Sequence, residues 1–432
     1  MRVAYNILFA LFFWLSAPWY FWKMWRRGNW RAGFGQRFGR YEADFQPAAG
    51  GKPVMWLHAV SVGEAGICLP LLRALAQKLP EFQFVVSTTT STGMGELRRG
   101  LPPGARAIYY PADFPGAVRR AFDTVRPKAI VLVEAELWPN FLWQAQDRGI
   151  PMTLANARLS ERSFKGYGRF PFLFRPIFEK FRAVGCQQEA DAQRLAALGF
   201  PGEAVRGVGN MKFDAAQPGG RPGLDVPALL RKIGVNTNAK LLVAGSTHAG
   251  EEAILAEMLP RLRARFPELF LILVPRHFER AKAVSQELSA RGVRFVCRTD
   301  VSAEMRLPNG QLDCLLVNST GELKFFYEQA AAVFVGKSLT AKGGQNPIEP
   351  AALGKAMVFG PNMQNFRAVA SAFMAEEAAV QVADAAGLEQ ALAGLLGDDV
   401  RRAQLGSRAL AVVRKNLGAT ERTAQLIIER GI

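Results

Sequence analysis

The sequence predicts two doubly wound Rossmann-like α/β domains, each a parallel sheet covered by helices, joined by a linker and preceded by a membrane-anchor helix. Three observations carry this expectation. Short β-rich runs alternate with helical stretches, and the alternation restarts after a Gly/Pro-rich segment. Polar motifs follow directly on the strand runs, where open parallel sheets bind their ligands. The chain opens with a run of 20 residues that carries no charge, Val3–Trp22. A length of 432 residues suits two globular domains of roughly 100–200 residues each.

The uncharged run, as a helix, reaches about 30 Å, the thickness of a bilayer core. Asn6, Ser16 and Pro18 weaken it, while Trp14, Trp19, Tyr20, Trp22 and Trp25 crowd its C-terminal half like an interfacial aromatic belt. Only Arg2 precedes it, whereas Lys23, Arg26, Arg27, Arg31, Arg37 and Arg40 follow. A cleaved signal peptide has the reverse arrangement. The positive-inside rule keeps everything after Trp25 in the cytoplasm, with the basic stretch against anionic lipid heads. The run either spans the inner membrane or lies in one leaflet.

The anchor covers residues 1–27 and the first domain 28–212. Its strands are expected at Val54–Leu57, Phe84–Ser87 and Ile130–Val133, with an amphipathic helix near Leu69–Lys78. Residues 213–240, crowded with Gly and Pro, form the linker. The second domain, 241–432, restarts with strands at Leu241–Ala244, Leu269–Val274, Ala332–Val335 and Ala356–Phe359, and turns helical after Val400.

Lys and Arg outnumber Asp and Glu by 54 to 37, a net charge of +17. That excess favours a nucleic acid, an anionic membrane surface or an acidic substrate. An apolar fraction of 49%, with Gly and Pro spread evenly, excludes a largely disordered chain. Cys68, Cys186, Cys297 and Cys314 form no CxxC or Cys/His cluster, so they are expected to be reduced and packed, without zinc.

All three histidines, His58, His248 and His277, follow expected strands, which suggests a shared site. In His58-Ala-Val-Ser-Val-Gly-Glu64, the glutamate falls near the start of a helix, whose dipole keeps it ionised. Glu64 is then either a base for a substrate hydroxyl or a plain helix N-terminal residue. Glu134 and Glu136 end another strand; they stabilise positive charge on a sugar, or they cap or pair with a cation. Lys212, in Asn210-Met-Lys-Phe-Asp214, meets a carboxylate or phosphate, or is a surface lysine.

In the second domain, the turn Gly245–Glu252 opens a helix and offers backbone N–H groups to phosphate. Pro275-Arg276-His277 adds a guanidinium for an anion. Gly321-Glu322-Leu323 and Gly343–Pro350 read as loops leading into helices, the second with backbone for phosphate and Glu349 for ribose hydroxyls. No GxGxxG or GxxxxGK[ST] is present, which argues against a dinucleotide dehydrogenase and a P-loop enzyme. No DxD-like pair suggests a bound divalent metal.

Taken in order, the segments LHAVSVGE, STTTSTG, EAELWPN, NARLSERS, GNMKFD, STHAGEE, LILVPRH, GEL and GGQNPIEPAALGK closely resemble the Kdo (3-deoxy-D-manno-octulosonic acid) transferases of lipopolysaccharide synthesis. The resemblance covers nearly the whole chain. It implies a GT-B fold, with the acceptor site in the N-terminal domain and the donor nucleotide in the C-terminal one, facing a cleft. It implies CMP-Kdo as donor, a phosphorylated tetraacyl lipid A precursor (lipid IVA) as acceptor, and inversion without a metal or other cofactor. Carried over, Glu64 is the general base, and Glu134 (or Glu136) with Lys212 supports the transition state. The CMP contacts are Pro275 and Arg276, the turn Thr320-Gly321-Glu322, and Asn346, Pro347, Ile348 and Glu349. Gln345 stands where such proteins commonly carry His, and Lys337 where they carry a second Gly. The segment before GEL reads VNST instead of a G-D-T pattern.

Two alternatives stand beside this reading. Another GT-B transferase would use a UDP-sugar on a lipid acceptor, and competition by CMP or UDP separates the two. A non-catalytic membrane adaptor or nucleic-acid-binding protein would exploit the charge, but aromatics interleave with basic residues only in the anchor, where lipid explains them; no nucleic acid partner is expected.

Overall fold

A computed structural model describes residues 2–26, 31, 33–42, 45, 51–134, 137–216 and 223–432. Buried apolar runs build two seven-stranded parallel sheets. The first comprises β1 (Val54–His58), β2 (Gln83–Thr88), β3 (Arg106–Tyr109), β4 (Pro127–Val133), β5 (Met152–Ala157), β6 (Phe181–Cys186) and β7 (Val205–Gly207). Its order is β3-β2-β1-β4-β5-β6-β7. The second comprises β8 (Lys240–Thr247), β9 (Leu269–Pro275), β10 (Phe295–Cys297), β11 (Cys314–Leu316), β12 (Ala332–Val335), β13 (Met357–Phe359) and β14 (Val380–Gln381). Its order is β10-β11-β9-β8-β12-β13-β14.

Every expected strand is present. In each sheet the early strands lie to one side of the first strand, β10 and β11 exchanging places at the edge of the second sheet, and the chain then restarts on the other side of that first strand. The switch points therefore lie between β1 and β4 and between β8 and β12, where crevices open beyond the strand ends. Helices cover both faces of the first sheet. Trp56, Phe122 and Phe141 fill one side, and Leu57, Val86 and Val131 pack on the other.

The chain divides into two units, residues 1–215 with 416–432, and 216–415. The last helix, Ala419–Arg430, was expected in the second domain but belongs to the first. Its Ala424 and Ile427 are buried in the Leu57–Val131 core, and Asp214 accepts the N–H groups of Gly418 at 2.7 Å and Thr420 at 2.6 Å. These are contacts between residues about half the chain apart, which no local pattern announces. The expected linker also holds a short helix, Val226–Lys232, started by Asp225 accepting from Ala228 N–H and burying Val226, Leu229 and Leu230. Residues 217–222 lie outside the described residues.

The expected anchor is one helix, Arg2–Arg26. No helix of the described residues is long and apolar enough to cross a membrane. Asn6, Ser16, Pro18 and the indoles dilute the hydropathy of the run. Tyr5, Asn6, Phe9, Ala10, Phe13, Ser16 and Ala17 recur at helical spacing on its half-buried face. Phe9 and Phe13 meet Phe114, and Tyr5 meets Trp143 edge-on. Arg2 pairs with Asp147, the Tyr5 hydroxyl donates to Asp113 at 2.8 Å, and Asn140 Nδ2 donates to Asn6 Oδ1 at 2.7 Å. The opposite face exposes Val3, Leu8, Leu11, Trp14 and Leu15.

Replacing fully buried Ile427 removes packing from the first unit's core. Ile427→Ala is expected to destabilise that unit by about 2–5 kcal/mol. Hydrogen exchange should show faster opening of β1 and β2; unchanged exchange there would refute this role for the last helix.

Candidate active site

The loop after β1 leaves the ladder, so its backbone groups need other partners. Ser61 is the N-cap of the helix Val62–Lys78, accepting from Glu64 N–H at 3.3 Å. The Glu64 carboxylate reaches back, accepting Val60 N–H at 2.8 Å and the Ser61 hydroxyl at 2.9 Å. This reciprocal capping box explains the Ser-x-x-Glu spacing and locks the carboxylate rotamer. The Val60 carbonyl accepts from the hydroxyls of Thr88, Thr89 and Thr90, at 2.9, 3.2 and 3.2 Å. Thr90 also caps the helix Ser91–Gly100 through Gly93 N–H. A Cβ on Gly93 would stand 2.6 Å from Thr88 Oγ1, so only glycine fits there.

Across the switch point, β4 pairs in parallel with β1, and Glu134 directly follows its last residue. Glu134 adopts φ 62°, a left-handed conformation costly for a residue with a side chain and typical of functional sites. Its carboxylate pairs with Lys212 Nζ at 2.9 Å. Lys212 is delivered by two clamps: Asn156 Oδ1 accepts Met211 N–H, and Asn210 Oδ1 accepts Lys212 N–H, both at 3.0 Å. Glu64, Glu134 and Lys212 thus all sit in the first unit beyond its strand ends. Glu136 lies outside the described residues.

His58 does not belong with this group. It is fully buried, its ring stacked on Tyr110 at 3.7 Å between centroids. Nδ1 lies 3.1 Å from the Ser87 carbonyl, which assigns the proton to Nδ1, and Nε2 has no partner. Burial lowers its pKa from 6.5 to about 3. The expected three-histidine site is therefore corrected: this imidazole is a neutral core group, because the ring was drawn under Tyr110 and not toward solvent. The other two histidines are in the second unit, their rings 5.9 Å apart. Burial, with the charge of Lys337, holds His248 below its usual value.

In the second unit the turn expected to cradle phosphate is filled by the protein itself. Glu251, fully buried, accepts the N–H groups of His248, Lys337, Ser338 and Leu339. Its carboxylate takes the place of an anion at this helix start and ties β8 to the loop after β12. Lys337 adopts φ 54°, which accounts for glycine being at ease in this position. Glu252 pairs with Arg280 at 2.7 Å.

The loop beyond β12 leads to Asn346, whose Oδ1 accepts Ile348 N–H and whose Nδ2 donates to Glu349 Oε1, both at 3.1 Å. Pro347 is buried, and Ile348 fully so. Burial raises the Glu349 pKa, opposed by Asn346 and by the charge of Arg276. Arg276 is exposed at the end of β9, after buried Pro275. Tyr327, fully buried, feels the Glu349 charge, and its hydroxyl would lie 2.0 Å from a Cβ on Gly245. Asn346 and Glu349 are hydrogen-bonded to each other, and Glu349 feels the charge of Arg276. Beside exposed Thr320 and Gly321, Glu322 pairs with Arg298 at 3.1 Å and accepts from Ser319. Sequence reading missed Tyr327, Arg298 and the role of Glu251. Only Glu251 had a signal, its place directly after Gly250 at a helix start.

Two parallel doubly wound sheets with polar clusters beyond both switch points define a GT-B-like protein. The UDP-GlcNAc 2-epimerase of Neisseria meningitidis, solved with UDP-GlcNAc bound, shares this fold at a TM-score of 0.58 and 13% identity, over 87% of this chain and all of that one. The family model described as 3-deoxy-D-manno-octulosonic-acid transferase (kdotransferase) matches residues 32–215. The 3-deoxy-D-manno-octulosonic acid transferase of Haemophilus influenzae is 32% identical over 94% of this chain and 93% of its own length. That of Bordetella pertussis is 35% identical over 93% of both. The chain belongs to the Kdo transferase family and is a glycosyltransferase.

His58 sets a pH dependence of stability. Its folded pKa lies below the unfolded value, so the unfolded state binds the proton first. Stability is expected to fall as pH drops from 6.5 toward 3, by about 1.4 kcal/mol per unit from this group. Asp113, pushed up to about 6 by burial, acts with the opposite sign between pH 6 and 3.8. Denaturant unfolding of His58→Gln at pH 7 and 4.5 should show the flatter acid decline; an unchanged decline would exclude His58 as its source.

Proposed function

We propose that this enzyme moves Kdo from CMP-Kdo to a sugar hydroxyl of a phosphorylated tetraacyl lipid A precursor, with inversion and without a metal, in lipopolysaccharide synthesis. One observation carries the proposal: a rotamer-locked Glu64 beyond β1 and the strained Glu134–Lys212 pair beyond β4 flank one switch point.

Glu64 takes the proton of the acceptor hydroxyl as its oxygen attacks the anomeric carbon. The bond from that carbon to the CMP phosphate oxygen breaks, and CMP leaves with the electron pair. Arg276 meets the leaving phosphate, so no proton donor is needed there. Glu134 faces the positive charge that develops on the sugar, and Lys212 the carboxylate of the sugar acid. The cytidine nucleotide is held by Pro275 and Arg276, by Thr320, Gly321 and Glu322, and by Asn346, Pro347, Ile348 and Glu349. Of these, the joined Asn346–Glu349 pair suits ribose hydroxyls. One displacement inverts the centre and needs a single base.

The exposed apolar face of the N-terminal helix supports association with the cytoplasmic face of the inner membrane, with the helix lying along the lipid surface. The charge of +17 suits an acidic sugar, a phosphorylated lipid and anionic headgroups together.

Purified protein, CMP-Kdo and the tetraacyl precursor should give a Kdo-bearing lipid by mass spectrometry, with EDTA present. Glu64→Gln retains the capping geometry, so its unfolding midpoint should stay within a few degrees while kcat falls by roughly 10²–10⁴. Transfer from a UDP-sugar and none from CMP-Kdo would overturn the donor; full activity in Glu64→Gln would overturn the base.

A further inference from the structure

Beneath the N-terminal helix lies a cavity of about 520 Å³, within the roughly 300–1,000 Å³ usual for small-molecule sites. Phe9 and Phe13 roof it, and Phe34, Phe38, Phe114 and Trp138 complete an apolar wall. Phe12 and Trp14 line it too and are 64% and 71% exposed, so the cavity is continuous with the apolar face of the helix. Part of its wall is polar: Arg37 and Thr89 line it together, Arg37 Nη1 donating to the Thr89 carbonyl at 2.8 Å, and Ser16, Tyr110 and Asp113 contribute as well. The Thr89 hydroxyl donates to the carbonyl of Val60, whose N–H is bound by Glu64. The cavity thus grades from lipid-facing aromatics to a polar wall one residue away from the carboxylate assigned as base.

We propose that this cavity holds a fatty-acyl chain of the acceptor and so presents its sugar hydroxyl to Glu64. The inference rests on the lipid-acceptor reading above. A single occupant, apolar along its length and polar at the end beside Thr89, matches the gradient. An acyl chain attached to a phosphorylated sugar has that form. Arg37 then stands beside the junction of chain and head. The N-terminal helix becomes part of the acceptor site as well as a membrane contact, held there by Arg2, Tyr5 and Asn6.

The test uses the full chain with the tetraacyl acceptor and its fully deacylated, water-soluble counterpart. Ala17→Trp fills the cavity from the helix, and Ala112→Leu fills it from the opposite wall. Either variant should raise KM at least tenfold for the acylated acceptor and leave kcat/KM on the deacylated one unchanged. An acceptor carrying a diazirine on its acyl chain should cross-link to residues 34–38 or 110–114, located by peptide mass spectrometry, and each filled variant should lose that adduct. Equal loss on both acceptors would mean a structural effect and overturn the proposal. Equal labelling of the same segments by a diazirine phospholipid would assign the cavity to bulk lipid and overturn it as well. Absence of Kdo transfer to either acceptor by the unaltered protein would instead remove the functional reading on which it rests.

Discussion

The peptide of Val60 governs the first site. Beyond β1 it has no ladder partner, yet both its polar groups are satisfied: the carbonyl by three threonine hydroxyls, the N–H by Glu64. An unpaired buried peptide group costs on the order of 1–3 kcal/mol, so each partner is held in place by the other's need. The arrangement ties β1 to β2, fixes the start of the helix Val62–Lys78 and sets the direction of the Glu64 carboxylate. Of the two readings of Glu64, the capping one is realised, and it is also what makes the catalytic one physically reasonable. A base must be positioned before its proton affinity matters.

The second unit answers the same constraint differently. There the helix after β8 begins with a carboxylate of its own, and Glu251 absorbs four backbone donors. The result is rigid support for the loop after β12. The groups suited to an anionic ligand, Arg276 after β9 and the Asn346–Glu349 pair after β12, lie beyond strands on either side of β8. One unit therefore carries a capped carboxylate and an ion pair beyond its strand ends, and the other a hydrogen-bonded Asn–Glu pair with an exposed arginine.

The N-terminal helix combines two chemistries on one cylinder. Its polar first turns bond to Asp147, Asp113 and Asn140, and its aromatic ridge packs on Phe114. The remaining face is apolar and open. Helical spacing separates these faces, so a run that looks uniformly apolar in one dimension is sided in three.

Sequence alone determined the two-sheet architecture, because parallel strands buried on both faces read as continuous apolar runs. It also brought out the strand-end motifs, since turn chemistry after a strand is local. Strands such as β10, β11 and β14 span only two or three residues and were not read from the sequence. β5 was hidden by Thr153 and Asn156, polar residues that are fully buried in the sheet. Only the tertiary structure decided that His58 is a core group, that Asp214 and Ile427 bring the last helix back to the first unit, that Lys212 meets Glu134, and that Arg298 meets Glu322. Those outcomes depend on which distant surfaces bury each other, and the burial of a side chain is a property of its neighbours in space, which residue order does not encode locally.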